Sequence, residues 1–130
     1  MKELGKEYIY VHKDHLLFVD DLAKSHFKER NHILRLAIVI AIALEPDKKI
    51  NKKIKSELSR NKGARNFQSS QLDRDQKITL LIKNLANSKD DLPYSRMEEL
   101  MYIGLELLKK KYHSDHGIDW KSLQKAVQDK

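Results

Sequence analysis

HILRLAIVIAIALEP occupies positions His32 to Pro46 and is a long apolar run in an otherwise polar chain. Its length and the proline that ends it favour a helix of about 14 residues over a strand. A surface helix in a small domain keeps one polar face, and this helix has almost none. It therefore predicts either a contact with a partner subunit or a central helix that its own chain wraps. In the first case the oligomer interface consists of Ile33, Leu36, Ile38, Ile40 and Ile42.

The segments around this helix predict a mainly α fold, a compact helical domain with one short N-terminal strand. Residues 6–11 (KEYIYV) alternate aromatic and β-branched types with a period of two, which is typical of a strand. Apolar residues at helical spacing predict further helices over residues 14–27, 47–60, 73–86, 95–111 and from 119 onward, with a loop over 61–71. Asp14 is the predicted cap of the first of these helices, and Ser95 and Glu98 have the spacing of a capping box. A length of 130 residues fits a single domain, 1–130, in which residues 113–130 form a peripheral C-terminal helix.

The composition excludes several kinds of site and location. The chain has no cysteine, which rules out a disulfide scaffold, a cysteine-ligated zinc finger, an iron–sulfur site and thiol catalysis. Four glycines and two prolines are few for an all-β fold. The longest uncharged apolar run, residues 36–44, is too short to span a bilayer, and the polar N-terminus lacks a signal segment. We therefore expect a cytoplasmic protein that is not associated with a membrane.

Positive charge is concentrated in residues 48–65, which we call the basic segment. The whole chain carries a net charge of +7, and the basic segment holds eight cations against Glu57 alone, which is also +7. A helix and loop of this charge density attract a phosphate backbone and release counterions on binding. The alternative is a solvated face that keeps the protein soluble. The candidate DNA-binding residues are Lys48, Lys49, Lys52, Lys53, Lys55, Arg60, Lys62 and Arg65.

A strand followed by two helices is also the beginning of a ribbon-helix-helix unit. In that fold the strand pairs with the strand of a second subunit and lies in the major groove of DNA. This alternative predicts a transcription regulator or antitoxin with a palindromic operator. Its outward strand residues are either Lys6, Tyr8 and Tyr10 or Glu7, Ile9 and Val11.

The histidines give only a weak indication of a metal site. His12 and His15 are three residues apart, as are His113 and His116, but no third ligand stands at a defined spacing. We therefore predict that these side chains are solvated or cap helices, and that the protein holds no metal.

Asp73, Asp75 and Lys77 resemble the end of a restriction-nuclease motif. They open a predicted helix, however, where acidic side chains stabilise the N-terminus. The sequence contains no phosphate-binding glycine loop, nucleophile elbow or paired-carboxylate site. We therefore expect no enzymatic activity and no cofactor.

Three segments occur in an order and spacing that resemble a known family. They are residues 31–37 (NHILRLA) with the apolar run after them, residues 63–67 (GARNF), and residues 100–108 (LMYIGLELL), which contain Gly104. Together they resemble the DndE family, the small subunit of the bacterial DNA phosphorothioation (sulfur-modification) machinery. The resemblance implies a mostly helical fold, a homo-oligomer (tetrameric in the family), and binding to duplex or nicked DNA without chemistry of its own.

The resemblance also implies partners, namely the sulfur-transfer enzyme and the ATPase of the same DNA-modification and anti-phage defence system. A hypothesis that does not depend on the family is a protein–protein adaptor whose basic face binds an acidic partner.

Overall fold

The computed structural model of the chain describes residues 4–25, 29–60, 65–86, 92–113 and 117–129. In these ranges the helices are α1 (Leu16–Ser25), α2 (Arg30–Leu44), α3 (Lys52–Arg60), α4 (Ser69–Leu72), α5 (Lys77–Leu85), α6 (Pro93–Lys110) and α7 (Trp120–Gln128). Single 3-10 turns lie at Lys13–His15 and Arg74–Gln76. The strands are β1 (Tyr8–Val11), β2 (Arg65–Gln68), β3 (Tyr112–His113) and β4 (Gly117–Ile118). The predicted mainly helical fold with a short N-terminal strand is confirmed. In the described ranges, no helix is long and apolar enough to cross a membrane.

Helix α2 lies at the centre of the fold and is wrapped by its own chain. Its main neighbour is α6, and α1, α5 and α7 also pack against it. The two central helices approach closely at Gly104, where an added Cβ would lie 1.8 Å from the carbonyl oxygen of Ala37. Glycine is therefore required at this crossing because no side chain fits between the backbones.

This wrapping changes which side chains a subunit contact can use. Leu36 is half-buried, while Val39 and Ala43 are the apolar residues that α2 leaves exposed. The other predicted interface residues are buried inside one chain and are not available to a partner: Ile33, Ile38, Ile40 and Ile42. A contact between subunits through α2 would therefore use the strip formed by Leu36, Val39 and Ala43.

The N-terminal strand finds its partner within the chain. β1 pairs antiparallel with β2, and the buried side chains of Ile9 and Val11 anchor the pair to the core. The predicted loop over 61–71 is therefore wrong for residues 65–71, which form β2 and the beginning of α4. Phe67 lies opposite Ile9 and packs against the core, and β1 provides hydrogen-bonding partners for the backbone of β2. In a ribbon-helix-helix protein the same strand would pair with a second subunit.

Two predicted helix caps are placed differently. The N-terminal helical segment is capped by His12, whose Nδ1 accepts a hydrogen bond of 3.1 Å from the backbone N–H of Asp14, so Asp14 is not the capping side chain. Glu98 does not close a capping box with Ser95. Its carboxylate instead accepts hydrogen bonds from Lys6 Nζ at 2.5 Å and from a backbone N–H of β1.

The C-terminal residues belong to the same core. β3 and β4 form a short antiparallel pair that leads into α7. Asp119 begins this helix, as predicted, and its Oδ1 accepts a hydrogen bond of 3.1 Å from the backbone N–H of Ser122. Leu123 is buried on the side of α7 that packs against α2, whereas Trp120 and Val127 are partly exposed.

Candidate nucleic-acid interface

The described cations of the basic segment all lie at the surface. They are carried by the loop before α3, by α3 itself and by the first residue of β2. Lys62 lies outside the described residues. The exposed side chains are Lys48, Lys49, Lys52, Lys53, Lys55, Arg60 and Arg65.

Helix α3 is attached to the protein through a narrow apolar stripe. Leu58 is buried, and Ile50 and Ile54 are half-buried, as their spacing of four residues predicts. The helix begins at Lys52 and not at Asp47, so the predicted start is wrong. The reason is the side chain of Asn51, whose Oδ1 accepts a hydrogen bond of 2.8 Å from the backbone N–H of Ile54 and so caps the helix at that point.

A buried ion pair in α6 fixes the loop that precedes α3. Arg96 is completely buried, and its Nη1 donates to the carbonyl oxygen of Lys48 at 2.8 Å and to Oε1 of Glu99 at 2.7 Å. Its Nη2 donates to the carbonyl oxygen of Pro46 at 2.7 Å. Oε2 of Glu99 accepts a hydrogen bond of 2.7 Å from the backbone N–H of Ile50. Two side chains of one helix thus hold the backbone of residues 46–50 in place.

Few acidic side chains neutralise the basic segment. Lys49 Nζ lies 3.8 Å from Oε1 of Glu99, and Arg65 Nη1 lies 3.6 Å from Oδ1 of Asp20. Within the part of the chain that the structure describes, three consecutive cations of α3 have no acid within ion-pairing distance, namely Lys52, Lys53 and Lys55. Their positive charge is therefore directed to solvent.

The placement of these lysines opposes the helix dipole. The N-terminus of a helix carries partial positive charge, so cations in its first turn lower helix stability. The first turn of α3 contains Lys52, Lys53 and Lys55 and no acidic residue. The arrangement costs stability in the free protein and is favourable when an anion lies at this end of the helix.

A surface cavity of about 220 Å³ lies beside the basic segment, between α3 and α6. Its rim carries Lys48 and Lys49 from the loop and Lys110 from the last turn of α6, together with Glu106. Apolar side chains of both helices line the floor. The sequence gives no local signal that Lys110 lies here, because this residue follows the basic segment by 45 positions.

His12 and His15 lie next to this cavity and form a buried cluster, so the prediction of a solvated or capping side chain is wrong for His15. His15 Nε2 lies 2.6 Å from Oε1 of Glu106, and both His12 and His15 contact the ring of Tyr102. Burial lowers the pKa of His15, and the carboxylate of Glu106 opposes this shift only in part. Among the described residues, no group of three His, Asp or Glu side chains is arranged to hold a metal ion, and His116 lies outside them.

Of the three residues that resemble a nuclease motif, Asp73 has a structural role. Oδ1 of Asp73 accepts hydrogen bonds from the backbone N–H groups of Ile78 at 2.8 Å and Thr79 at 3.1 Å, at the beginning of α5. Burial and a hydrogen bond to Asp73 raise the pKa of Tyr94 to about 12. Asp75 is exposed and has a left-handed backbone with φ of 56°. Asp73 thus stabilises the N-terminus of α5 as predicted, but the helix begins at Lys77 and not at residue 73, because Asp75 and Gln76 have left-handed backbone conformations.

Known proteins give no independent identification of this surface. Comparison of the chain with protein-family models, with curated proteins and with solved structures finds no match.

Proposed function

We propose that this protein is a non-catalytic DNA-binding subunit that contacts the phosphate backbone of duplex or nicked DNA through the basic segment. The observation that carries the proposal is the set of exposed cations on the loop and on α3, of which Lys52, Lys53 and Lys55 have no acid within ion-pairing distance among the described residues. Their position at a helix N-terminus, where they lower the stability of the free protein, favours a role in binding an anion over a role in solubility alone.

The mechanism is electrostatic. Each cation placed against a phosphate releases condensed counterions into solution, and this entropy gain drives binding at low salt. Phosphate contacts position the protein without reading bases, so this surface binds DNA with little sequence preference. The buried pair of Arg96 and Glu99 supports the mechanism because it orders the loop that carries Lys48 and Lys49 before DNA is bound.

The resemblance to the DndE family supports a more specific proposal. It assigns the protein to a cytoplasmic DNA sulfur-modification and defence complex, as a homo-oligomer, with a sulfur-transfer enzyme and an ATPase as partner subunits. Two of the resembling segments, residues 31–37 and 100–108, lie in α2 and α6, and Gly104 lies at the place where these helices cross. Sulfur-transfer and ATPase genes beside this one would support the assignment, and a toxin gene there would favour the antitoxin alternative.

The proposal is tested by fluorescence anisotropy of a labelled duplex over a range of salt concentrations. If one subunit places four to six cations on the backbone, the logarithm of the binding constant falls with the logarithm of salt with a slope of about −4 to −5. A nicked duplex of the same sequence and a duplex of scrambled sequence bind with similar affinity. Absence of binding at low salt, or binding that does not depend on salt, would contradict the proposal.

A further inference from the structure

The solvent-facing side of the β1–β2 sheet carries two aromatic and two carboxamide side chains. Directly opposite residues of an antiparallel pair lie on the same face. Tyr8 is opposite Gln68, and Tyr10 is opposite Asn66. The neighbouring pair, Ile9 and Phe67, points to the core. The outer face therefore consists of Tyr8, Tyr10, Asn66 and Gln68, which we call the ribbon face.

The polar groups of the ribbon face are open to a ligand as far as the described residues extend. Tyr8 is 44% exposed and Asn66 is exposed, while Tyr10 and Gln68 are half-buried. In the part of the chain that the structure describes, none of the four side chains has a hydrogen-bond partner. The backbone beneath them is held firmly, since the N–H of Tyr10 donates to Oε2 of Glu98 at 2.9 Å. Among the described residues, the face is thus an ordered surface whose tyrosine hydroxyl groups and side-chain amides make no hydrogen bonds.

This combination of side chains fits unpaired nucleobases. An exposed aromatic ring stacks on the face of a base that has left the double helix, and a carboxamide can donate to and accept from its edge. In an intact duplex the base faces are covered by their neighbours, so tyrosine rings would have nothing to stack on. Tyr8 and Tyr10 are two residues apart on one strand, which places their Cα atoms about 6.8 Å apart, a distance suited to two successive splayed bases.

Cations of the basic segment lie near one end of the ribbon face. β2 begins with Arg65, the last cation of the basic segment, and the exposed cations of α3 precede it by a few residues. Helix α3 lies next to the end of β1, since Oε1 of Glu57 is 3.3 Å from Nε2 of His12. Glu7 is the exposed acid at the other end of β1.

We propose that the ribbon face binds unpaired bases of single-stranded DNA while the basic segment holds the adjoining phosphate backbone. The inference rests on the proposed function and adds to it the part of the protein that distinguishes single-stranded from double-stranded DNA. Tyr8 and Tyr10 supply stacking, and Asn66 and Gln68 supply contacts to base edges.

The test compares two labelled probes by fluorescence anisotropy at one salt concentration: a blunt duplex, and the same duplex with a short single-stranded overhang. Wild-type protein binds the overhang probe more tightly than the blunt probe. Tyr8→Leu removes a stacking ring from an exposed strand position and reduces the affinity for the overhang probe by about 5- to 150-fold per lost stacked base. Its affinity for the blunt duplex does not change.

Two control variants separate stacking from other effects. Tyr8→Phe keeps the ring and therefore keeps the preference for the overhang that Tyr8→Leu loses. If the hydroxyl group were responsible for the preference, Tyr8→Phe would lose it as well. Leu17→Ala changes a residue of α1 that is 80% exposed and lies outside the ribbon face, and it leaves both affinities unchanged. Circular dichroism verifies that each variant is folded.

The possible outcomes are distinguishable. Overhang preference that Tyr8→Leu abolishes and Tyr8→Phe retains supports the inference. Binding to the blunt duplex without a gain from the overhang, or a gain that Tyr8→Leu leaves intact, overturns the inference and leaves the proposed function standing. Failure of the wild-type protein to bind either probe overturns both.

Discussion

Replacement of Lys52, Lys53 and Lys55 by alanine is the most direct perturbation of the proposed DNA contact. All three side chains are exposed, and none has an acidic partner within the described part of the chain, so their removal breaks no ion pair there. Alanine is the best helix former, and loss of cations from the first turn relieves an unfavourable interaction with the helix dipole. We therefore expect the triple variant to be at least as stable as the wild type.

The expected loss of binding follows from the geometry of α3. Lys52 and Lys55 are three residues apart and share a face of the helix, whereas Lys53 is rotated by about 100° from Lys52. The variant therefore loses contacts to two or three phosphates. The slope of the logarithm of the binding constant against the logarithm of salt then becomes less steep by about 1.8 to 2.7. When salt rises from 50 to 200 mM, both proteins lose affinity. The fold-loss of the wild type is roughly 12 to 40 times larger than the fold-loss of the variant.

The measurement is fluorescence anisotropy on one duplex over a salt series, with thermal unfolding followed by circular dichroism. A matched control, Lys83→Ala/Lys121→Ala/Lys125→Ala, removes the same charge from exposed positions in α5 and α7. The control keeps the wild-type slope, because these lysines lie outside the basic segment. A triple variant of α3 with wild-type affinity and slope would refute the reasoning and reduce the basic segment to a feature of solubility.

Three further predictions follow from the core and from α2. Gly104→Ala lowers the melting temperature by about 10 °C or more, because its Cβ would collide with the carbonyl oxygen of Ala37 at the helix crossing. The free energy of unfolding decreases as the pH falls below about 6.5, because burial lowers the pKa of His15 in the folded state and the unfolded chain therefore takes up the proton first. In urea titrations, His15→Gln weakens this pH dependence. Val39→Asp places a charge in the strip of α2 that is open to a subunit contact, so the proposed homo-oligomer sediments as a monomer in sedimentation velocity. The monomer stays folded, because this side chain is 44% exposed in the single chain.

Each of these predictions has a result that would contradict it. An unchanged melting temperature of Gly104→Ala would mean that α2 and α6 can move apart without loss of packing. Equal stability at pH 5 and pH 7.5 would show that His15 takes up its proton in the folded state. A wild-type protein that sediments as a monomer at micromolar concentration would exclude the homo-oligomer.

The elements of the fold were predictable where the signal is local. The period of the apolar residues and Pro46 predict α2, and a spacing of four residues predicts the inner stripe of α3. β2 gave no such signal, because residues 65–68 have turn-like chemistry and adopt an extended conformation only when β1 pairs with them. The sequence therefore predicts one strand of the pair, with Tyr8 and Tyr10 in one of two candidate outward sets, but it does not predict that Asn66 and Gln68 lie beside them.

Polar residues were predictable only when their partners are near in sequence. Asp119 and Asp73 lie at the beginning of helices and bond to N–H groups within six residues. Glu98 follows Ser95 at the spacing of a capping box, yet its carboxylate bonds to Tyr10, 88 residues away. The local pattern cannot distinguish the two cases, because a buried carboxylate is satisfied by whichever donors the tertiary structure brings to it.

Arg96 and Glu99 connect the core to the basic segment and explain why α6 carries charge at buried positions. A buried ion pair adds little stability over apolar residues of similar volume, because desolvation offsets the attraction. Here the pair does something that apolar residues cannot do, since Arg96 donates to the carbonyl oxygens of Pro46 and Lys48 and Glu99 accepts from the N–H of Ile50. The backbone of a short loop, which cannot form its own helix or sheet bonds, is thereby satisfied in one conformation. The lysines on that loop are held at the rim of the cavity beside α3, where a bound phosphate would meet them without further ordering of the backbone.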